Sequence, residues 1–89
     1  MDDIPNSIPT GSVEVHLFAA ARAAAGTTVL HVQPGTLREV LDRSVQQRPG
    51  LAEVLPRCSY LVDQVSTQDE QLVVPAGSRI DVLPPFAGG

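Results

Sequence analysis

The segment TLREVLDRSVQQRPG, from Thr36 to Gly50, has the clearest helical pattern in the chain. Its apolar residues recur at helical spacing and would form one buried face: Leu37, Val40, Leu41 and Val45. Thr36 and Glu39 fit a capping box, in which each side chain binds the backbone amide of the other residue. The pattern therefore predicts a helix over residues 36–48 that packs one face on a core and ends at Pro49.

Extended segments lie on both sides of this helix. Alternating apolar and polar residues, bounded by turn residues, predict strands at 13–18, 27–32, 58–62, 65–67 and 79–83. This order predicts an α+β, ubiquitin-like β-grasp domain: a mixed sheet of four to five strands with one main helix packed on one face. A split-βαβ fold is the alternative, but it needs a second long helix, and residues 64–78 have no such pattern.

Two shorter features complete the predicted domain. The alanine-rich segment from Ala19 to Gly26 favours a helix of about two turns that the glycine closes. A further short turn is expected over residues 51–55, ended by Pro56, and the Pro-Gly-Thr segment at residues 34–36 is expected to be a simple turn.

The length of 89 residues permits one domain. Residues 1–12 contain two prolines and several polar residues, and we expect them to be a flexible leader outside the fold. Residues 13–85 would form the β-grasp domain, and residues 86–89 a projecting C-terminal arm.

Composition limits the classes of partner. The formal net charge is −4, which argues against binding to nucleic acid or to an anionic membrane surface. No apolar segment approaches the ~20 residues of a membrane-spanning helix. Asp2 and Asp3 stand where a signal peptide would carry basic residues, so the expected location is the cytoplasm.

The body of the domain contains few residues suited to catalysis or metal binding. His16 and His31 lie in separate predicted strands, and Cys58 is the only other soft donor, so we expect surface histidines and no metal site. Arg57 could lower the pKa of the neighbouring Cys58 thiol, but the sequence identifies no partner base, which favours a packing role for the cysteine. The acidic pair at residues 69–70 is expected to lie in a solvated loop.

The C-terminus is the remaining candidate. The chain ends in the sequence Pro84, Pro85, Phe86, Ala87, Gly88 and Gly89. A terminal carboxylate becomes an electrophile once it is adenylated, and two glycines leave no side chain to block a narrow channel. Pro84 and Pro85 restrict the backbone of the segment that precedes the two glycines. The alternative is a frayed terminus without a role.

Two segments, VEVHLFAAARAAAG and DVLPPFAGG, make the chain similar to the MoaD family, the small subunit of molybdopterin synthase. The resemblance spans residues 12–89. Phe18, Ala19, Arg22 and Gly26 match the family's aromatic-Ala-x-x-Arg-x-x-x-Gly pattern, and the end of the chain matches Pro-Pro-x-x-Gly-Gly. Two positions depart from it: Ala23 stands where glutamate is frequent, and Phe86 where valine is frequent.

The resemblance implies a sulfur-carrier mechanism. A ubiquitin-activating-type enzyme would adenylate Gly89 with ATP and magnesium that it binds itself, so this chain would bind no cofactor. A sulfur donor would then convert the adenylate to a thiocarboxylate. Residues 84–88 would insert into the large subunit of the synthase, a heterotetramer of two small and two large subunits. The sulfur would pass to precursor Z and build the dithiolene of molybdopterin.

The resemblance also implies a docking face formed by Phe18, Val65 and Leu83, with Arg22 at its rim. Phe18 either belongs to that face or packs beneath the alanine-rich segment. Three other functions stay open at this point: a sulfur carrier for thiamine or cysteine biosynthesis, a ubiquitin-like protein modifier, and an interaction domain with an inert tail.

Overall fold

Residues 11–85 are described by the computed structural model, so the leader up to residue 10 and the arm residues 86–89 lie outside it. The elements are, in chain order, β1 (Val13–Leu17), α1 (Ala19–Ala25), β2 (Val29–Val32), β3 (Gly35–Thr36), α2 (Leu37–Gln47), two 3₁₀ helices (Pro49–Glu53 and Leu55–Arg57), β4 (Ser59–Val62), β5 (Val65–Thr67), β6 (Val73–Val74) and β7 (Arg79–Leu83). None of the helices in this part of the chain is long and apolar enough to cross a membrane.

Five strands form the main sheet in the order β2-β1-β7-β4-β5. The two central strands, β1 and β7, run parallel, whereas the β1–β2, β4–β7 and β4–β5 pairs are antiparallel. The sheet is therefore mixed, and α2 packs on one of its faces, as predicted. The other face, which points away from α2, is called the open face below.

The helix α2 begins with the predicted capping box. Thr36 Oγ1 accepts a hydrogen bond from Glu39 N at 3.2 Å, and Glu39 Oε1 accepts one from Thr36 N at 2.9 Å. The buried residues of the helix are Leu37, Val40, Leu41 and Ser44. Val45 is half-buried and packs against the core, as predicted, and Ser44, which was not predicted, is buried beside it and donates its hydroxyl to Val40 O at 2.9 Å.

The core is aliphatic, as the composition predicts. Alternate residues of β1, β2 and β7 face α2, and the 3₁₀ helices close the core at one side. Its fully buried members include Val13, Val15, Leu37, Val40, Leu41, Leu51, Ile80 and Val82. Burial of this apolar area is the main stabilising contribution to the fold.

A second, two-stranded sheet was not predicted. Gly35–Thr36 pairs antiparallel with Val73–Val74, in the segment expected to be a simple turn. Backbone hydrogen bonds continue this pairing into the helix, since Arg38 N donates to Glu70 O at 2.9 Å. Pairs of two residues carry no periodicity for a sequence pattern to detect. Their effect is to attach the N-terminus of α2 to the loop after β5.

The prolines near α2 also act differently from the prediction. Pro49 and Pro56 lie in the first turn of the two 3₁₀ helices, so Pro56 begins a helical turn and the expectation that it ends one was wrong. A proline is accommodated at this position because the first amides of a helix have no intrahelical acceptor. Gly26 does close α1 as expected, with a left-handed φ of 74° and its amide donating to Arg22 O at 2.8 Å.

Gly50 is expected to be intolerant of a side chain. A Cβ atom at this position would lie 2.6 Å from the backbone oxygen of Ala24, where the first 3₁₀ helix meets α1. We expect Gly50→Ala to lower the free energy of unfolding by ~1–3 kcal/mol, because backbone must shift to relieve the overlap. Urea denaturation measures the change. Glu53→Ala, exposed in the same 3₁₀ helix, is the control and should be neutral within ~0.5 kcal/mol. Equal urea midpoints for the two variants would contradict the close contact between Gly50 and the backbone of Ala24.

Candidate functional site

Phe18 and Leu83 lie at the same end of the two central strands. β1 and β7 are parallel and pair Leu17 with Val82, so the next residue of each strand, Phe18 and Leu83, falls at the same level. Phe18 keeps an extended backbone, with φ −124° and ψ 153°. Side chains alternate between faces along a strand, and Leu17 and Val82 are buried in the core. The backbone therefore places Phe18 and Leu83 on the open face.

The structure favours the surface alternative for Phe18. Its side chain is 38% exposed, and it is not part of the buried core. Beneath α1 the buried residues are Ala21 and Ala25, whose small side chains let the helix pack closely. Ala19, at the start of this helix, has a positive φ of 50°, a conformation that costs an L-residue about 1–2 kcal/mol. The chain thus turns sharply directly after Phe18.

Arg22 follows Phe18 by one helical turn. It is exposed on α1, and its backbone amide donates to Phe18 O at 3.3 Å. Residues four apart in a helix are neighbours on its surface, so this position fits the rim that the sequence predicts. The contribution of Arg22 to partner binding stays a prediction.

Val65 is not brought together with Phe18 and Leu83. It pairs with Val62 across the β4–β5 hairpin, and Val62 is buried beneath the helices. Residues paired in register share a face, so Val65 lies on the α2 side of the sheet. It also lies on an edge strand, two strands away from β7, and is 66% exposed.

Leu61 is the open-face residue that the sequence analysis missed. It pairs with Asp81 of β7, which places it on the open face diagonally next to Leu83. An apolar residue on the polar phase of the predicted strand was the available signal. Phe18, Leu61 and Leu83 are called the apolar corner below.

Apart from Val29, which pairs with His16, the rest of the open face on β1, β2 and β7 is mainly polar. His16 Nε2 lies 2.9 Å from Glu14 Oε1, and Arg79 Nε donates to the buried Asp81 carboxylate at 2.6 Å. The hydrogen bond from His16 lowers the pKa of Glu14, so this pair favours the folded state at neutral pH and is lost as the pH falls through the lowered pKa. His31, opposite Glu14, has a buried Nδ1 without a hydrogen-bond partner.

The histidines and the cysteine do not form a common site. Within residues 11–85, no three histidine, cysteine, aspartate or glutamate residues are grouped to hold a metal ion. Cys58 is half-buried and its Sγ donates to Val54 O at 3.3 Å. Burial raises the pKa of the Cys58 thiol, and the side chain packs against the core, which is the packing role that the sequence favours. A thiol with a raised pKa is a poor nucleophile at neutral pH.

The C-terminal arm begins at the apolar corner. Pro84 is half-buried and Pro85 exposed, and both follow directly on Leu83. The predicted arm residues Phe86, Ala87, Gly88 and Gly89 lie outside the described residues, as does the leader up to residue 10. The last residue of β7 therefore lies level with Phe18, and the described chain continues from it through Pro84 and Pro85.

Comparisons with known proteins place the chain among small carriers and modifiers. A model of the ThiS family matches residues 15–89. The chain is similar to small archaeal modifier protein 1 from Haloferax volcanii (26% identity, 89% of this chain and 100% of that one, TM-score 0.80). It is also similar to the protein of that name from Methanosarcina acetivorans (26% identity, 91% and 99%, TM-score 0.73).

A third similar structure is the complex of subunits 1 and 2 of the molybdopterin-converting factor from Helicobacter pylori. The two sequences are 24% identical, and the match covers 88% of this chain and 99% of the other. The TM-score is 0.66, so the similarity is one of fold. No curated protein matches the sequence. The family match spans most of the chain, and the solved structures confirm the predicted fold. The chain belongs to the ThiS family and is a ThiS/MoaD-like sulfur carrier with the ubiquitin-like β-grasp fold.

Proposed function

We propose that this chain is the sulfur-carrier subunit of molybdopterin synthase. The observation that carries the proposal is the position of the apolar corner at the base of the Gly-Gly arm. A partner that contacts Phe18 and Leu83 is in place to receive the residues that follow Pro85. The Helicobacter pylori complex, in which two subunits of a molybdopterin-converting factor associate, supports a large-subunit partner for a protein of this fold.

The proposed chemistry takes place at Gly89. On the activating enzyme, a carboxylate oxygen of Gly89 attacks the α-phosphorus of ATP and pyrophosphate leaves. Hydrosulfide supplied by the donor then attacks the acyl carbon, AMP leaves, and loss of the sulfur-bound proton makes the terminus a thiocarboxylate. The large subunit receives the arm, and sulfur passes to precursor Z. ATP and magnesium belong to the activating enzyme, so this chain supplies the terminus and the docking surface.

The carrier has to meet two large partners in turn. The activating enzyme and the synthase large subunit both need the arm, so both would bind at the apolar corner, one after the other. A modest apolar patch with a polar surround suits such exchange, since it gives an interface that can dissociate. In the synthase we propose two small and two large subunits.

Intact-protein mass spectrometry tests the carrier function. The chain is incubated with ATP, magnesium, the activating enzyme and a sulfur donor. We expect the mass to rise by the difference between one sulfur and one oxygen. A variant without Gly89, treated identically, is the control and should keep its mass. An unchanged mass for the intact chain in a reaction that charges a known carrier would contradict the proposal.

A protein-modifier function is the second candidate. The observation that favours it is the similarity to small archaeal modifier protein 1 from two archaea, at 26% identity in each case. Modification would join Gly89 to lysines of other proteins and would appear as larger covalent adducts. A role in thiamine or cysteine biosynthesis would use the same thiocarboxylate with another acceptor. Sulfur transfer to precursor Z in the presence of the large subunit separates these functions.

Docking is expected to depend on Phe18. Phe18→Ala should weaken binding to the large subunit by ~1 kcal/mol or more, because an exposed aromatic residue at the centre of an interface is a typical anchor. Isothermal titration calorimetry measures the affinity. Val65→Ala is the matched control: it also removes an exposed apolar side chain, but on the other face. Equal losses of affinity for the two variants would contradict a docking surface centred on the apolar corner.

A further inference from the structure

A cleft of about 630 Å³ lies on the α2 side of the sheet, away from the apolar corner. Half-buried Val45, Tyr60 and buried Leu55 form its apolar wall. Its polar rim is formed by Arg38, Asp42, Gln68 and Glu70. Volumes of this order are typical of ligand sites in proteins. The sequence predicts a solvated loop at Glu70 but no cleft, because the lining residues come from α2, both 3₁₀ helices, β4 and the loop after β5.

Hydrogen bonds hold the walls of this cleft together. Tyr60 donates its hydroxyl to Leu55 O at 2.6 Å, which joins β4 to the second 3₁₀ helix. Burial raises the pKa of the Tyr60 phenol, so it stays a neutral donor. Arg38 N donates to Glu70 O at 2.9 Å, which joins α2 to the loop after β5. The cleft is therefore formed before any partner arrives, and binding would not have to order its walls.

The charges of the rim favour a cation. Arg38 Nε and Nη2 lie 3.1 and 2.9 Å from Asp42 Oδ1, and Arg38 Nη1 lies 3.1 Å from Glu70 Oε2. Burial opposes the charge of Arg38, but its hydrogen bonds to the two carboxylates keep its pKa raised. One guanidinium faces two carboxylates, so the rim keeps a net negative charge. An anionic ligand would have to displace these carboxylates from Arg38. A second cation, in contrast, can donate hydrogen bonds to the lone pairs of the carboxylates that Arg38 leaves free.

We infer that the cleft docks a basic segment of a partner protein. An arginine or lysine side chain lays its aliphatic stem against Val45, Leu55 and Tyr60, and its cationic head binds the carboxylates of Asp42 and Glu70. Val65 is a further exposed apolar residue on the same side of the sheet, and a polypeptide offers apolar side chains to such a surface, whereas a small free cation does not. The net charge of −4 also attracts a basic partner.

This site is independent of the proposed function. The cleft and the apolar corner lie on opposite faces of the sheet, so one partner can hold the cleft while another holds the arm. Its test uses the purified chain alone, without the activating enzyme or the large subunit. A negative result in that test therefore leaves the carrier function unaffected.

The test is a titration followed by backbone-amide NMR. The probe is a blocked pentapeptide, acetyl-Ala-Leu-Arg-Leu-Ala-amide, and the matched peptide has glutamine in place of arginine. We expect the arginine peptide to shift the amide signals of Tyr60, Gln68 and Glu70, and to bind at least about twofold more tightly than the glutamine peptide. Glu70→Gln should lower the affinity for the arginine peptide by about two- to fivefold, which is the range expected for the loss of an exposed ion pair.

Glu53→Gln is the control variant, because it removes the same charge from an exposed residue that does not line the cleft. It should leave the affinity unchanged, and the spectrum of each variant reports whether it is folded. Equal binding of the two peptides, or an equal loss in the two variants, would overturn the inference. Spermidine binding as tightly as the peptide would make this a small-cation site instead, and shifts that grow with protein concentration alone would identify a second copy as the occupant.

Discussion

One additional glycine after Gly89, or deletion of Gly89, is expected to abolish adenylation by the activating enzyme while leaving the fold intact. A residue lengthens an extended chain by ~3.3–3.6 Å. The reacting atoms of a displacement must come within ~3–3.5 Å of each other in an aligned geometry, so an error of one residue moves the carboxylate out of reach. Among residues 11–85 the last buried core residue is Val82, so we expect neither change to affect stability.

Pyrophosphate exchange by the activating enzyme measures this effect. A glycine inserted after Met1 is the matched control, because it adds the same residue at the other terminus and should be adenylated at the normal rate. Gly88→Val keeps the length but adds a β-branched side chain, and it should also be inactive if the arm enters a narrow channel. A normal rate for the chain extended after Gly89 would show that the terminus is not the reacting group.

Leu41→Ala is expected to lower the free energy of unfolding by ~2–5 kcal/mol, because it leaves a cavity in the core beneath α2. Leu41 is 1% exposed, and its neighbours Leu37 and Val40 are fully buried, so little space is available for the helix to collapse into. This loss is a large part of the ~5–15 kcal/mol that stabilises a typical domain.

Urea denaturation, followed by circular dichroism, measures the loss for Leu41→Ala. Gln46→Ala is the control, since Gln46 is exposed on the same helix and its replacement should be neutral within ~0.5 kcal/mol. A midpoint for Leu41→Ala equal to that of the intact chain would contradict the packing of α2 on the sheet.

The helix α2 shows which structural features a local sequence pattern can predict. Its capping box and most of its buried face followed from spacing alone, because local hydrogen bonds and a period of 3.6 residues are set within the segment. The burial of Ser44, one position before Val45, was not predicted. It depends on where the 3₁₀ helices lie, and no local pattern contains that information.

The position of Val65 could have been inferred but was missed. Asp63 and Gln64 both have positive φ, at 49° and 74°, and form a two-residue hairpin turn. Such a turn pairs the residues that flank it, so Val65 must share the face of Val62. The structure buries Val62 in the core, which fixes the face of both residues. The resemblance to a family placed Val65 beside Phe18, whereas strand register separates them.

The two candidate surfaces differ in how much the sequence reveals. The Gly-Gly arm is one continuous segment, so the chemistry proposed for it rests on six consecutive residues. The cleft combines α2, both 3₁₀ helices, β4 and the loop after β5. Its charge balance depends on Arg38 lying between Asp42 and Glu70, and the second of these pairs spans 32 positions.

The parallel pairing of β1 with β7 has a mechanical consequence. The arm leaves the far end of β7, while the N-terminal leader enters at the near end of β1, so tension between the two termini runs along the strands. In that geometry the force acts along the strands, so the hydrogen bonds between β1 and β7 all bear it at the same time and cannot break one after another. A force applied between the start of β1 and the end of β7 therefore meets the sheet in its most resistant direction.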